Sequence, residues 1–144
     1  MKKVLLILSL LLPAFSIMAA EHEVKMLNGG PEGAMVFSPA YLKINVGDTV
    51  KFVPTDIGHN SESIFSPDGG ASWKGELNKP VSATFDKEGV YAYQCTPHAI
   101  MAMVGIIQVG DASNKDDFMK YVDTKEGEFA INKGRFKTYA EQVK

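Results

Sequence analysis

Val90-Tyr91-Ala92-Tyr93-Gln94-Cys95-Thr96-Pro97-His98-Ala99-Ile100-Met101-Ala102-Met103-Val104-Gly105-Ile106-Ile107-Gln108-Val109 runs from one apolar stretch through a short loop into another. Val90 to Gln94 alternates and is β-branched or aromatic, so it reads as a strand, and Val104 to Val109 reads as its neighbour. Between them Cys95, His98 and Met103 stand at the spacing Cys-x2-His-x4-Met, with Met101 as a second thioether. A thiol, an imidazole and a thioether are thereby carried on one loop between two rigid elements. A further imidazole, His59, ends the upstream stretch Asp56-Ile57-Gly58-His59-Asn60. Singly, each of these residues has a plainer use: Cys as a small buried hydrophobe, Met as core filler, His as a hydrogen-bonded side chain. Together they make the donor set of a redox copper ion, since imidazole nitrogen suits Cu(II) and thiolate or thioether sulfur suits Cu(I).

The first twenty residues are predicted to be a leader, not part of the fold. Lys2 and Lys3 give a positive start, Val4 to Leu12 an apolar core and Met18-Ala19-Ala20 a small-residue exit, the pattern of a secretory signal peptide. Cleavage is expected before Glu21, which leaves residues 21–144 as one domain, and no later stretch is apolar enough to cross a membrane. Removing Lys2 and Lys3 leaves thirteen basic residues against seventeen acidic, a net charge of about −4. Nucleic acid is therefore an improbable partner, because phosphate binding needs a basic face. A single Cys in an exported protein makes no internal disulfide, so Cys95 is an intermolecular bridge, a reactive thiol or a metal ligand.

Outward from the opening stretch, the chain reads as short strands and turns. Strands are predicted at His22–Leu27 (ended by Asn28-Gly29-Gly30-Pro31), Met35–Phe37, Tyr41–Val46, Thr49–Val53 and Val81–Phe85, the last forming a hairpin-like unit with Val90–Gln94 through Asp86–Gly89. Residues 61–80, rich in Ser, Gly and Pro, read as a long crossover with one helical turn. Short strands at near-even spacing imply a mainly β fold, a β-sandwich over residues 21–110. Residues 111–144 read as two helices: one with Ser113 as N-cap and Phe118, Tyr121 and Val122 on a face, the other over about 134–143 with Phe136, Tyr139, Ala140 and Val143.

Several stretches together resemble the cupredoxins, the type I blue-copper proteins, and within them the pseudoazurins. They are Gly33-Ala34-Met35-Val36-Phe37-Ser38-Pro39, Val46-Gly47-Asp48-Thr49-Val50-Lys51-Phe52, Gly58-His59-Asn60, Gly89-Val90-Tyr91, Cys95-Thr96-Pro97-His98 and Met101-Ala102-Met103-Val104-Gly105. The resemblance covers nearly all of the chain after residue 20. It implies a Greek-key sandwich with two C-terminal α-helices, one copper ion, and His59, Cys95, His98 and Met103 as its ligands, with Met101 a neighbour. It also implies that Asn60 donates its N–H to the thiolate and ties its side chain to the Cys loop near Thr96. With Pro97 lacking an N–H, about one backbone hydrogen bond to the sulfur is expected.

The implied function is that of a periplasmic electron carrier, not an enzyme, moving single electrons between redox proteins. Candidates are a copper nitrite reductase as acceptor and a respiratory cytochrome as donor. They would dock on an apolar rim of Met35, Pro97, Ala99, Ile100, Met101 and Ala102 around His98, with the carrier a monomer and free of the membrane once the leader is removed. Similar pseudoazurins carry Lys where this chain has Ile57 and Tyr-Gly where it has Ala99-Ile100, which bears on the choice of partner. The alternative is a copper-handling protein, a chaperone or store, which favours exposed Met and His clusters. A Cys–His hydrolase built on Cys95 and His98 lacks any recognisable orienting acid.

Overall fold

The computed structural model describes residues 18–144, so the predicted leader lies outside the described residues up to position 17. Eight strands form two four-stranded sheets. The first sheet has the order β2-β1-β4-β6, from β1 (Glu21–Gly30), β2 (Gly33–Ser38), β4 (Thr49–Pro54) and β6 (Val81–Thr84). The second has the order β3-β8-β7-β5, from β3 (Tyr41–Ile44), β8 (Val104–Val109), β7 (Gly89–Gln94) and β5 (Glu62–Phe65). Two helices follow, α1 (Lys115–Glu126) and α2 (Arg135–Ala140). A mainly β sandwich with two C-terminal helices is thus the observed architecture.

Strands β7 and β8 sit at the centre of their sheet and are buried on both faces, which explains their nearly unbroken apolar sequences. Tyr91, Tyr93, Ile107 and Val109 point between the sheets with Phe37, Phe52, Trp73 and Phe85. Val90, Ala92, Val104 and Ile106 point the other way, against Phe118, Val122 and Phe136 of the helices. The helices therefore cover the outer face of the second sheet and make a third layer. Asn114 pins the start of α1 by accepting the Val90 N–H at 2.7 Å and donating to the Val90 carbonyl at 3.0 Å. Buried Gln108 holds the chain end, accepting from Lys144 N at 3.1 Å and donating to its carbonyl at 2.8 Å.

Four local expectations need correction. β6 and β7 are not a hairpin: β6 pairs with β4 and β7 with β8 and β5, so Asp86–Gly89 carries the chain from one sheet to the other. β1 runs on through Asn28-Gly29-Gly30, because Gly29 and Gly30 pair with Ala34 and Gly33 and the turn falls at Pro31-Glu32. The crossover at 61–80 has no helical turn but contains β5, whose half-polar Glu-Ser-Ile-Phe is made a strand by pairing with β7. Helix α1 starts at Lys115 without a side-chain cap, since the Asn114 side chain is committed to Val90.

The start of β1 is locked by Asp48, whose side chain is almost wholly buried. Its carboxylate accepts the Ala20 N–H at 2.8 Å, the Asn45 N–H at 3.0 Å and His22 Nε2 at 2.8 Å. The Ala20 and His22 bonds, joined by the Asn45 N–H, hold this carboxyl below the usual aspartate range against the opposing effect of burial. A depressed folded-state value stabilises fully above the unfolded aspartate value, about pH 3.9, and is lost as pH falls through the folded one. Asp48→Asn should therefore cost roughly 2 kcal/mol at neutral pH. The gap to wild type should close below about pH 3.9, which urea titrations of both proteins at pH 7 and pH 3 would measure.

Candidate metal centre

His59 follows β4 by a short turn, Cys95 follows β7 directly, and the 3-10 helix Thr96–Met101 brings His98 back over Cys95 before Met103 leads into β8. Among the described residues, His59, Cys95 and His98 form a group whose ligand atoms all lie within 4.8 Å of one another. Both imidazoles turn Nδ1 to the sulfur, at 3.6 Å from His59 and 3.4 Å from His98, with ring centroids 4.9 Å apart. Cys95 and His59 are fully buried, whereas His98 is only partly covered. Met103 is fully buried in the same inter-sheet cluster as Cys95, and its carbonyl accepts the Cys95 N–H at 3.0 Å. Met101 is only half-buried on the outer side of the loop.

The His59 tautomer follows from its partners. Nε2–H donates to Asn28 Oδ1 at 3.0 Å, which leaves the Nδ1 lone pair facing the sulfur. Burial first, then the neighbouring His98, pushes this imidazole towards its neutral form, the form that ligates. Burial pushes the Cys95 thiol up, and the backbone N–H groups of Asn60 and His98 oppose it. The His98 N–H itself donates to the Cys95 carbonyl at 3.2 Å, which closes the turn after the cysteine.

The surrounding bonds hold these side chains where they are. Asn60 accepts the Thr96 N–H at 2.8 Å and donates to Thr96 Oγ1 and the Gly75 carbonyl, both at 3.1 Å, joining the His59 segment to the Cys95 loop. Asn78 accepts the Gly58 N–H at 2.5 Å and donates its own N–H to the His59 carbonyl at 2.8 Å. Among the described residues, the non-glycine residues with left-handed backbone are Met35, Asn78, Ala102 and Asn132, which lie on or bond with the segments around the site. Such conformations cost energy and gather at functional sites. Asn28, Asn78, Asn132 and Arg135 were not singled out from the sequence, and only the Asn78-Lys79-Pro80 turn carries a local signal.

The donor set fits copper. Two imidazole nitrogens and one sulfur converge in a largely buried pocket with a thioether residue beside them, a combination acceptable to both oxidation states. Residues 24–110 match the model of the copper binding proteins of the plastocyanin/azurin family. A putative pseudoazurin of Rhizobium leguminosarum bv. viciae is 50% identical over 105 residues, 72% of this chain and 69% of that protein. The chain belongs to the pseudoazurins.

A second pseudoazurin, from Paracoccus pantotrophus, is 47% identical over 79% of this chain and 78% of its own length. The crystal structure of native pseudoazurin from Hyphomicrobium denitrificans superposes with a TM-score of 0.73 at 39% identity, over 86% of this chain and 98% of that one. As a pseudoazurin the chain is a type I, blue-copper electron-transfer protein, and copper is its cofactor. Among the described residues no helix is long and apolar enough to cross a membrane.

Proposed function

We propose that His59, Cys95 and His98 hold the copper of this pseudoazurin, with Met103 as a weak fourth ligand, and that the protein carries single electrons between redox partners in the periplasm. Support comes chiefly from the convergence of the two Nδ1 atoms on Cys95 Sγ at 3.6 and 3.4 Å. Copper, when bound, supplies the one-electron couple between Cu(II) and Cu(I). The chain's own part is to keep three donors in place, exclude water from Cys95 and His59, and leave His98 at the surface. With Met103 in the fourth position no place is left for a substrate, so the reading is a carrier and not an enzyme. Burial of Cys95, His59 and Met103 argues against the copper-handling alternative, which needs ligands open to exchange. Met103→Gln should retain copper but lower the potential by at least about 59 mV, a tenfold shift for one electron. An equal effect from Met101→Gln in voltammetry would remove Met103 from the set.

Partners are proposed to dock around His98, on Pro97, Ala99, Ile100 and Met101. Ile100 is 58% exposed, and Ile131, itself 50% exposed, is brought beside it by a hydrogen bond to the Ile100 carbonyl. Weak electron-transfer encounters bury little area, which suits an apolar rim of this size. The candidate acceptor is a copper nitrite reductase and the candidate donor a respiratory cytochrome. Ile57 beside the ligand His59 is 84% exposed and uncharged, and charges elsewhere are screened within roughly 8 Å at physiological salt. Electron transfer to the physiological partner should therefore depend weakly on ionic strength. Ile100→Lys should slow it about tenfold by placing a charge in the contact, at about the 1.4 kcal/mol that a tenfold change represents, and Ile57→Lys should change it little. Stopped-flow rates against salt test this; a steep fall of the wild-type rate would reveal a basic docking face instead.

A further inference from the structure

Three successive carbonyls of the loop between Cys95 and Met103 are held from one place. The Ile100 carbonyl accepts the N–H groups of Ala130 at 2.9 Å and Ile131 at 3.3 Å. The Met101 carbonyl accepts Asn132 Nδ2 at 2.9 Å, and that of Ala102, which also accepts the Val104 N–H at 3.0 Å, accepts Arg135 Nη1 at 3.4 Å. The same nitrogen of Arg135 donates to the carbonyls of Ala34 at 3.0 Å and Met35 at 3.1 Å, across the site on β2. The last carbonyls of a helical turn have no partner inside it and ordinarily go to water. Here the connection between α1 and α2, together with the first residue of α2, takes them. Among the described residues Arg135 forms no ion pair, so its charge is directed at neutral carbonyls. Two of those belong to Met35 and Ala102, at φ 50° and 55°, a backbone that side chains disfavour.

We propose that Ala130–Arg135 is a clamp on the copper loop, with Asn132 and Arg135 as positioning residues that keep His98 and Met103 at a constant separation when the electron arrives. This rests on the ligand set proposed above. A loop held at three consecutive carbonyls has few alternative arrangements, which is what a carrier needs if little is to move between oxidation states. The C-terminal helices thereby serve the site as well as covering the sheet.

The test uses Asn132→Gly, which tolerates the left-handed backbone but removes the amide, and Arg135→Lys, which keeps the charge without the planar fork. Val109→Ala serves as a control that loosens the core at the far end of β8, away from the loop and from α2. Amide hydrogen exchange at Ala102 and Met103 is followed in the copper-free and Cu(I) forms, with the visible spectrum and electron self-exchange rate of the loaded protein. Each of the two variants should speed loop exchange roughly fivefold to tenfold, the value of one ordinary hydrogen bond, slow self-exchange and shift the visible bands, while Val109→Ala should do none of these. Variants that lose only thermal stability, or a control that matches them, overturn the clamp. If copper-loaded wild type shows no intense visible band, the ligand set fails. Loop exchange in the copper-free chain then still decides the clamp: unchanged rates overturn it and faster rates support it.

A separate observation concerns the start of the mature chain. The Ala20 N–H donates to buried Asp48 at 2.8 Å and the Ala20 carbonyl accepts the Thr49 N–H at 2.9 Å, so Ala20 is the first rung between β1 and β4. Removal of Ala20 with the leader would leave both partners short of a bond. The structure assigns the processing site to the Ala19–Ala20 bond, one residue earlier than the cleavage before Glu21 that the leader's sequence pattern suggests. A signal peptidase would add one water across it, leaving a carboxyl on Ala19 and an amine on Ala20 that is protonated at neutral pH and pairs with Asp48, a charged partner for a buried carboxylate. Intact mass and N-terminal sequencing of the exported protein should give Ala20-Glu21-His22. Glu21 or any other first residue overturns the assignment.

Discussion

Cys95→Ser should abolish the intense visible absorption of the copper-loaded protein while leaving a folded sandwich. The band of a blue-copper site comes from the thiolate, and a serine hydroxyl offers neither its charge nor its polarisability. Copper affinity should fall by more than the roughly 100-fold that loss of an outer partner costs, since a direct donor is removed. The fold has reason to survive. The bond from Cys95 N to the Met103 carbonyl is made by backbone, and the hydroxyl would lie near two imidazole nitrogens now 3.6 and 3.4 Å from the sulfur. Visible spectra and thermal melts of the two proteins make the comparison. A variant that keeps the band would remove Cys95 from the site.

Gly105→Ala should be among the most destabilising single substitutions in the chain. A Cβ there would run into Cζ and the hydroxyl oxygen of Tyr93, far inside contact distance. Tyr93 cannot withdraw. It is fully buried, with Phe37 at 4.7 Å and Phe52 at 4.8 Å between ring centroids, both edge-on, and Trp73 at 6.0 Å. Overpacking of a rigid core costs about 1–3 kcal/mol and more where nothing yields, so at least about 3 kcal/mol is expected in urea unfolding. Tyr93, two residues before Cys95, stands opposite Gly105, two residues after Met103, in the β7–β8 register. The loss should therefore reach the copper loop as well as the core. Tyr93→Leu with Gly105→Ala should cost less than the sum of the two changes, because the shorter side chain clears the space. Additive costs would place the strain elsewhere.

The parts of the molecule that could be read from sequence are those whose cause is local. β7 and β8 announce themselves by alternation and apolar content, and Cys95, His98 and Met103 are adjacent in the chain, so their convergence needs only one loop. Phe118, Val122, Phe136, Tyr139, Ala140 and Val143 repeat at helical spacing and are buried as that spacing requires. β5 was hidden because Glu62–Phe65 owes its extended form to the edge of β7, a partner some 30 residues away, and not to its own composition. The sheet assignment of β6 was hidden for a similar reason, since a turn such as Asp86–Gly89 fits a hairpin and a crossover equally well. Around the site, Arg135 and Asn132 act on backbone carbonyls, which every residue has, so no pairing of side-chain types betrays them. Asp48 resembled an ordinary turn aspartate until its three donors converged on it.

The measurement that bears most directly on the copper assignment is a titration of the purified mature protein with Cu(II), followed by visible absorption. The ligand set of His59, Cys95, His98 and Met103 predicts an intense thiolate-to-copper band that rises linearly, stops at one ion per chain, and bleaches on one-electron reduction. A folded protein that binds copper without that band, or whose band survives Cys95→Ser, would contradict it.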